Sequence, residues 1–287
     1  MSAAALLALA AALCFAIAQI LIQYGLRTVP SWRSPLYSIG GSAILAWLFA
    51  LIFVDFSRLD LEAASIFAGV GLIFPVLVSM LSVRSNEKLG PAVAAAVGNV
   101  SPLFAVLGAV IFLGERPGPG QLAGLAMVIG GVALLALRGG AGGRRWPLWV
   151  LALPLSAALV RGAIQPVIKT ALALWHEPMA AAAIGYTLST VVILLLVGRR
   201  AWRAGPAERR GVMWFTLVGV FNGAATFLLY AALGLGSITL VAPLVALFPL
   251  IAVGLSLVFL SGERLPIVGL LGVATCAAGV IVLLLAR

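Results

Sequence analysis

The amino-acid sequence predicts an all-α integral membrane protein of ten transmembrane helices, arranged as two inverted-topology five-helix repeats. Three observations predict it. Of 287 residues, 63% are hydrophobic and only 9% charged, a balance foreign to a water-soluble globule of this size. The apolar residues fall into ten runs near the ~20-residue, ~30 Å length that crosses the hydrocarbon core as a helix. Finally, motifs in the first half recur in the second at an interval of 148 residues.

The ten runs lie at 3–24, 35–54, 63–83, 91–113, 119–137, 147–168, 178–197, 212–233, 238–260 and 266–285. None alternates with period two, so membrane-spanning strands are excluded, and helices satisfy their backbone hydrogen bonds internally. Met1 and Ser2 lead into Ala3 without a basic segment, so the first run is expected to persist as a span and not to be cleaved. Cys14 and Cys276 each sit deep in an apolar run without a neighbouring ligand, which excludes a disulfide framework and a zinc site. The formal net charge of +10 rides on an apolar chain and not on a solvated one, which argues against nucleic acid as a partner.

The basic residues are unevenly shared. Thirteen, from Arg27 to Arg264, flank the ends of odd-numbered runs, whereas the opposite side holds Arg58, Arg116, Lys169 and Arg287. The positive-inside rule then places the first set in the cytoplasm and both termini outside an inner (plasma) membrane.

Internal similarity organises the chain. Leu113, Gly114, Glu115 and Arg116 recur as Ser261, Gly262, Glu263 and Arg264, followed by Gly124 with Gly272 and Gly131 with Gly279. Upstream, Leu89 and Gly90 match Leu235 and Gly236, and Pro102 matches Pro249. The expected units are 1–138 and 147–287, joined by a glycine-rich linker at 139–146. Because five crossings is an odd number, the second unit enters from the other side, which relates the two by a pseudo-two-fold axis in the membrane plane. Such halves can enclose one cavity and expose it alternately to either side.

These residues resemble the drug/metabolite transporter superfamily, in its ten-helix EamA-type branch: each half carries a Pro, a Gly-Glu-Arg corner and then a helix with spaced glycines. The resemblance implies a small-molecule carrier, with export of amino acids and related metabolites common among members. It also implies cytoplasmic termini, against the loop charges, which favour the reverse.

Polar side chains inside spans are costly and mark candidate sites. Arg161, Gln165 and Lys169 form a stripe at i, i+4 and i+8 on the sixth run, and Gln19, Gln23 and Arg27 form the equivalent stripe on the first. If both stripes line one cavity, Arg161 draws a carboxylate or phosphate and Gln19, Gln23 and Gln165 add neutral hydrogen bonds. The bland alternative has Arg161 snorkelling to an interface or bonding carbonyls freed by Pro166. Asn99, Asn222 and Tyr230, with Thr226, are further candidate substrate contacts, although such groups also hold membrane helices together. Tyr186, Thr187, Ser189 and Thr190 carry less weight, since hydroxyls in spans bond their own backbone. Glu115 and Glu263, each at a corner just before a Pro, are read as helix N-terminal caps.

All eight acidic residues fall in loops or at run ends, which disfavours a proton-driven exporter of cations. His176 is assigned to a loop, no phosphate-binding Gly-Lys-Ser/Thr loop occurs, and no cofactor, metal or catalytic residue is expected. The expectation is a secondary transporter of a small organic solute, foremost one bearing a carboxylate such as an amino acid. Its partners are that solute and the lipid bilayer, and the sequence leaves the oligomeric state open. The alternatives are a carrier of phosphorylated or lipid-linked sugars and, in another class, a membrane enzyme acting on lipid, against which stands the lack of any nucleophile-base cluster.

Overall fold

The structure, a computed structural model, describes residues 2–89, 98, 100–137, 148–259 and 267–286. Asn99, the 139–146 linker and the Gly262-Glu263-Arg264 corner lie outside the described residues.

The first half contains α1 (Ala3–Gly25), α2 (Ser34–Phe53), α3 (Leu61–Leu89), α4 (Ser101–Leu113) and α5 (Pro119–Leu137). The second contains α6 (Leu148–Leu174), α7 (Pro178–Arg203), α8 (Arg209–Leu235), α9 (Ile238–Val245), α10 (Phe248–Phe259) and α11 (Ile267–Leu285). Six of these, α1, α2, α3, α6, α7 and α8, have the length and apolarity to cross a membrane. Local chemistry marks their ends. Ser2 accepts a hydrogen bond from the Ala5 N–H at 3.3 Å and Asp60 one from Ala63 at 2.8 Å, capping α1 and α3. Gly114, at φ +65°, ends α4 in the left-handed conformation that a side chain would strain.

Two expectations are corrected. Helices α3, α6, α7 and α8 run past the apolar limits, so Arg84, Lys88, Lys169, Arg199, Arg200 and Arg203 ride on helix ends and not in loops. Lys and Arg are good helix formers, and the helix costs nothing more where it leaves the hydrocarbon. The ninth run, expected as one span, is broken at Ala246 and Leu247 into α9 and α10. The break follows from Pro249, the second residue of α10, which has no N–H for the carbonyl of Val245. Its repeat equivalent Pro102 holds the same place at the start of α4.

The packing follows the duplication. Helix α1 packs on α8 and its equivalent α6 packs on α3, while α2 packs on α8 and its equivalent α7 on α3. The terminal helices α5 and α11 pair with each other. There a Cβ on Gly279 would lie 3.0 Å from the Gly124 carbonyl, so the spaced glycines set the closeness of this pair. Gly236 fixes the relative direction of the halves: a Cβ there would stand 2.7 Å from Ala4 at the start of α1, and its carbonyl accepts from Lys169 near the end of α6. The equivalent helices α1 and α6 therefore run in opposite directions.

Candidate functional site

A cavity of about 160 Å³ lies between the halves, lined from α1, α2, α3, α4, α6, α7, α8, α9 and α10. Its residues come from limited stretches: 15–22 of α1, 34–42 of α2, 74–83 of α3 and 215–229 of α8. The α1, α2 and α3 stretches lie from mid-span toward the side of the 26–33 loop, and the α8 stretch is centred on mid-span. On that side Arg33 donates to the Gly205 carbonyl at 2.7 Å, and a Cβ on Gly211 would strike Val29 and Thr28. The terminus side contributes no lining residue from the first three turns of α1 or the last turns of α6 and α8.

Four of the predicted site residues line this cavity: Gln19, Arg161, Gln165 and Asn222. The two stripes thus face each other across the repeat, as their spacing predicts, but only over their upper members. Gln23 is exposed and Tyr230 is buried in the helix core at 5% exposure, and neither is among the lining residues. Lys169 is bound elsewhere. The difference is one of angle around the helix: Ile22 and Leu229, the chain neighbours of Gln23 and Tyr230, still line the cavity, whereas Gln23 lies on an exposed arc and Tyr230 on a buried one.

Among the described residues, Arg161 has neither a hydrogen bond nor an ion pair from protein. The carbonyl of Pro166 is taken by the Thr170 hydroxyl at 3.1 Å. Gln165, one turn on, is 6% exposed, and its Oε1 is buried with no partner. A guanidinium and an amide oxygen one helical turn apart therefore stand uncompensated in one chamber, which among the described residues carries a positive charge and no lining acid.

The rest of the lining combines small hydroxyls with aromatic rings. Ser34, Ser38 and Ser42 come from one face of α2, and Ser79, Ser82 and Ser101 from α3 and α4. Sequence reasoning missed them, although Ser34, Ser38 and Ser42 repeat at the four-residue interval that exposed the other stripes. Ser42 donates to the Gly219 carbonyl at 2.7 Å and so ties α2 to α8. Tyr186 reaches the wall with its hydroxyl 2.8 Å from that of Thr226. Thr187 and Thr190 bond the carbonyls of Ala183 and Tyr186 in their own helix, as expected, whereas Ser189 departs from that expectation and bonds the carbonyl of Gly71 across on α3. Phe15, Phe74, Phe215 and Phe248 supply the apolar remainder.

The Gly-Glu-Arg corner is structural, with one correction. Glu115 does not cap the helix that follows it, where Gln121 accepts from Gly118 at 3.1 Å. It caps α9 of the other half, accepting from the Ile238 N–H at 3.0 Å and the Thr239 N–H at 3.1 Å. Lys169 completes the joint at 2.6 Å. Burial alone would push the Glu115 carboxyl up, but the Lys169 ammonium and the two backbone donors together hold it below its ordinary value.

Comparison with known proteins agrees with this architecture. The profile of the EamA-like transporter family matches residues 2–137 and again 147–285. A protein of Streptantibioticus cattleyicolor named as a probable terminal-alkyne amino-acid exporter is 31% identical over 186 residues, which is 64% of this chain and 61% of that protein. The chain thus aligns with under two thirds of that relative's length. A protein of known crystal structure superposes with a TM-score of 0.80 over 100% of this chain and 99% of its own, at 19% identity, a likeness of fold alone. Two matched repeats, helices of equivalent packing and a chamber between them lead to one assignment: the chain belongs to the EamA-like transporter family of the drug/metabolite transporter superfamily, a multi-pass membrane transporter and not an enzyme.

Proposed function

We propose that the protein is a secondary transporter that exports a small organic solute bearing a carboxylate, foremost an amino acid or related metabolite, across the plasma membrane by alternating access. The observation that carries this reading is Arg161, a guanidinium facing a chamber of about 160 Å³ without a counter-charge among the described residues. A charge kept at mid-membrane without a partner is costly, and a solute carboxylate placed on it in bidentate fashion offsets that cost. Gln19 and Asn222 add neutral hydrogen bonds around it. Asn99, half a helix from the same region in sequence, remains a candidate contact on the same grounds.

Export is supported by two further points. The relative from Streptantibioticus cattleyicolor is named for amino-acid export. The chamber also lies toward the loops that carry most of the arginines, which the positive-inside rule assigns to the cytoplasm, so loading from the cell interior is the direct geometry. A phosphorylated or lipid-linked sugar is the weaker reading, because the second cation it would call on, Lys169, is engaged with Glu115 and lines no part of the chamber.

The test is transport by Arg161→Ala in proteoliposomes loaded with labelled amino acids. Loss of transport with unchanged insertion and thermal unfolding supports the reading. Arg161→Lys should recover only part of it, because the two-pronged geometry is lost. Wild-type rates in Arg161→Ala would remove the guanidinium from the site.

A further inference from the structure

A carboxylate-binding chamber leaves the other end of an amino acid unexplained, since among the described residues no acid lines the cavity to receive an ammonium. The lining does hold one side-chain oxygen without a donor and two carbonyls that a proline cannot serve. Gln165 Oε1 is buried without a partner in a residue 6% exposed. Two main-chain positions on the wall, Gly98 and Val245, stand four residues before Pro102 and Pro249, so proline chemistry deprives both carbonyls of the helical N–H they would otherwise receive. The two are repeat equivalents, one from each half: Val245 ends α9 where the ninth run is interrupted, and Gly98 stands three residues before the start of α4.

We propose that Gln165 Oε1 and the carbonyl oxygens of Gly98 and Val245 form an ammonium-recognition subsite, which together with Arg161 selects a zwitterionic α-amino acid head group over a simple carboxylate. The proposal rests on the assignment of the solute carboxylate to Arg161. An ammonium offers three N–H donors, and three neutral oxygens match that number. Neutral acceptors are also what the chamber requires electrically. A carboxylate beside Arg161 would pair with it and withdraw the guanidinium from the solute, whereas amide dipoles attract the ammonium and leave the arginine free. Interrupted membrane helices expose main-chain groups only where these line a cavity, and both Gly98 and Val245 are residues of this cavity's lining. On this reading the duplicated prolines do more than bend their helices: they free one acceptor from each half at the shared site.

The test compares two probes that differ only in the amine, L-leucine and 4-methylpentanoate, by calorimetric titration of the purified full-length protein in detergent. L-Leucine should bind about tenfold more tightly than 4-methylpentanoate, the difference made by hydrogen bonds to a charged group. Gln165→Leu should lower L-leucine affinity by about that factor and leave 4-methylpentanoate within about twofold. Pro249→Ala, which returns a donor to the Val245 carbonyl and is compatible with a helical span, should move the ratio in the same direction and serves if Gln165→Leu folds poorly. Equal affinities of the two probes for the wild type, or an equal loss for both in the variants, overturns the subsite. If 4-methylpentanoate binds equally well to wild type and Arg161→Ala, the carboxylate assignment fails, and the subsite with it. The amine-dependent ratio reads the subsite, and the Arg161 dependence reads the parent assignment, so the two failures are distinguishable.

Discussion

Glu115 and Lys169 meet at 2.6 Å across the two halves of the molecule, one from the corner after α4 and the other from the last turns of α6. The carboxylate also closes the N-terminus of α9, and the ammonium donates to the Gly236 carbonyl at 2.9 Å. One ion pair therefore joins the α4–α5 corner, α6, the end of α8 and the start of α9 on the terminus side of the cavity. It is partly shielded, with 27% of the Lys169 side chain and 14% of the Glu115 side chain exposed.

Removing the carboxylate takes away a cap and an ion pair together. Glu115→Ala should destabilise the purified protein by about 1–3 kcal/mol, whereas Lys169→Met should cost less because the cap on α9 survives. Thermal unfolding of the single and double variants measures this. The double variant should fall short of the sum of the singles, as coupled neighbours do.

The same joint predicts a dependence on acidity. The Glu115 carboxyl is lowered from its ordinary value of 4.5. Its contribution to stability is therefore complete above that value and is lost as pH falls through the lower folded-state value. The unfolding midpoint should decline on acidification below about pH 4.5, and Glu115→Gln should flatten that part of the profile. Identical profiles for the two proteins would show that the pair makes no pH-dependent contribution.

The contact between α2 and α8 should tolerate no enlargement. A Cβ on Gly219 would lie 2.9 Å from the Ser42 N and 3.0 Å from the Ser38 carbonyl carbon, both in the backbone and unable to turn aside. Gly219→Ala should cost about 1–3 kcal/mol as overpacking and should reduce transport as well, since displacing α2 moves the Ser38 and Ser42 wall of the chamber. Gly69→Ala, where a Cβ meets nothing within 4 Å, is the control and should behave as wild type in both assays.

Loop charge makes a claim about orientation. With Cys14 and Cys276 replaced, a cysteine at Ala207 should react with an impermeant reagent only after the cells are opened, and one at Ser57 should react in intact cells. The reverse pattern would place the termini and the Glu115 joint in the cytoplasm and would turn the loading face of the chamber outward.

The fold was legible because its causes are one-dimensional. Apolar run length against membrane thickness identified the spans, and the recurrence of Pro102 at Pro249 and of the Gly-Glu-Arg corner exposed the duplication. The site was legible in part. The four-residue spacing of Gln19 with Gln23 and of Arg161 with Gln165 identifies a shared helix face only to within the drift of a 3.6-residue turn, and it says nothing of what packs against each arc of that face. Gln23 and Tyr230 fall off the cavity wall although Ile22 and Leu229 beside them line it, and the serines of α2 were overlooked because hydroxyls in spans so often bond their own carbonyls, as Thr187 and Thr190 do here.

By itself the sequence determined that this chain is a duplicated helical membrane protein with a buried cation, because hydrophobicity, periodicity and repetition are properties of a string. Only the tertiary structure decided that Arg161 faces a chamber while Lys169, two turns away on the same stripe, is spent on Glu115. Which charge finds a partner depends on what another segment brings within about 3 Å, and no interval along the chain encodes that meeting.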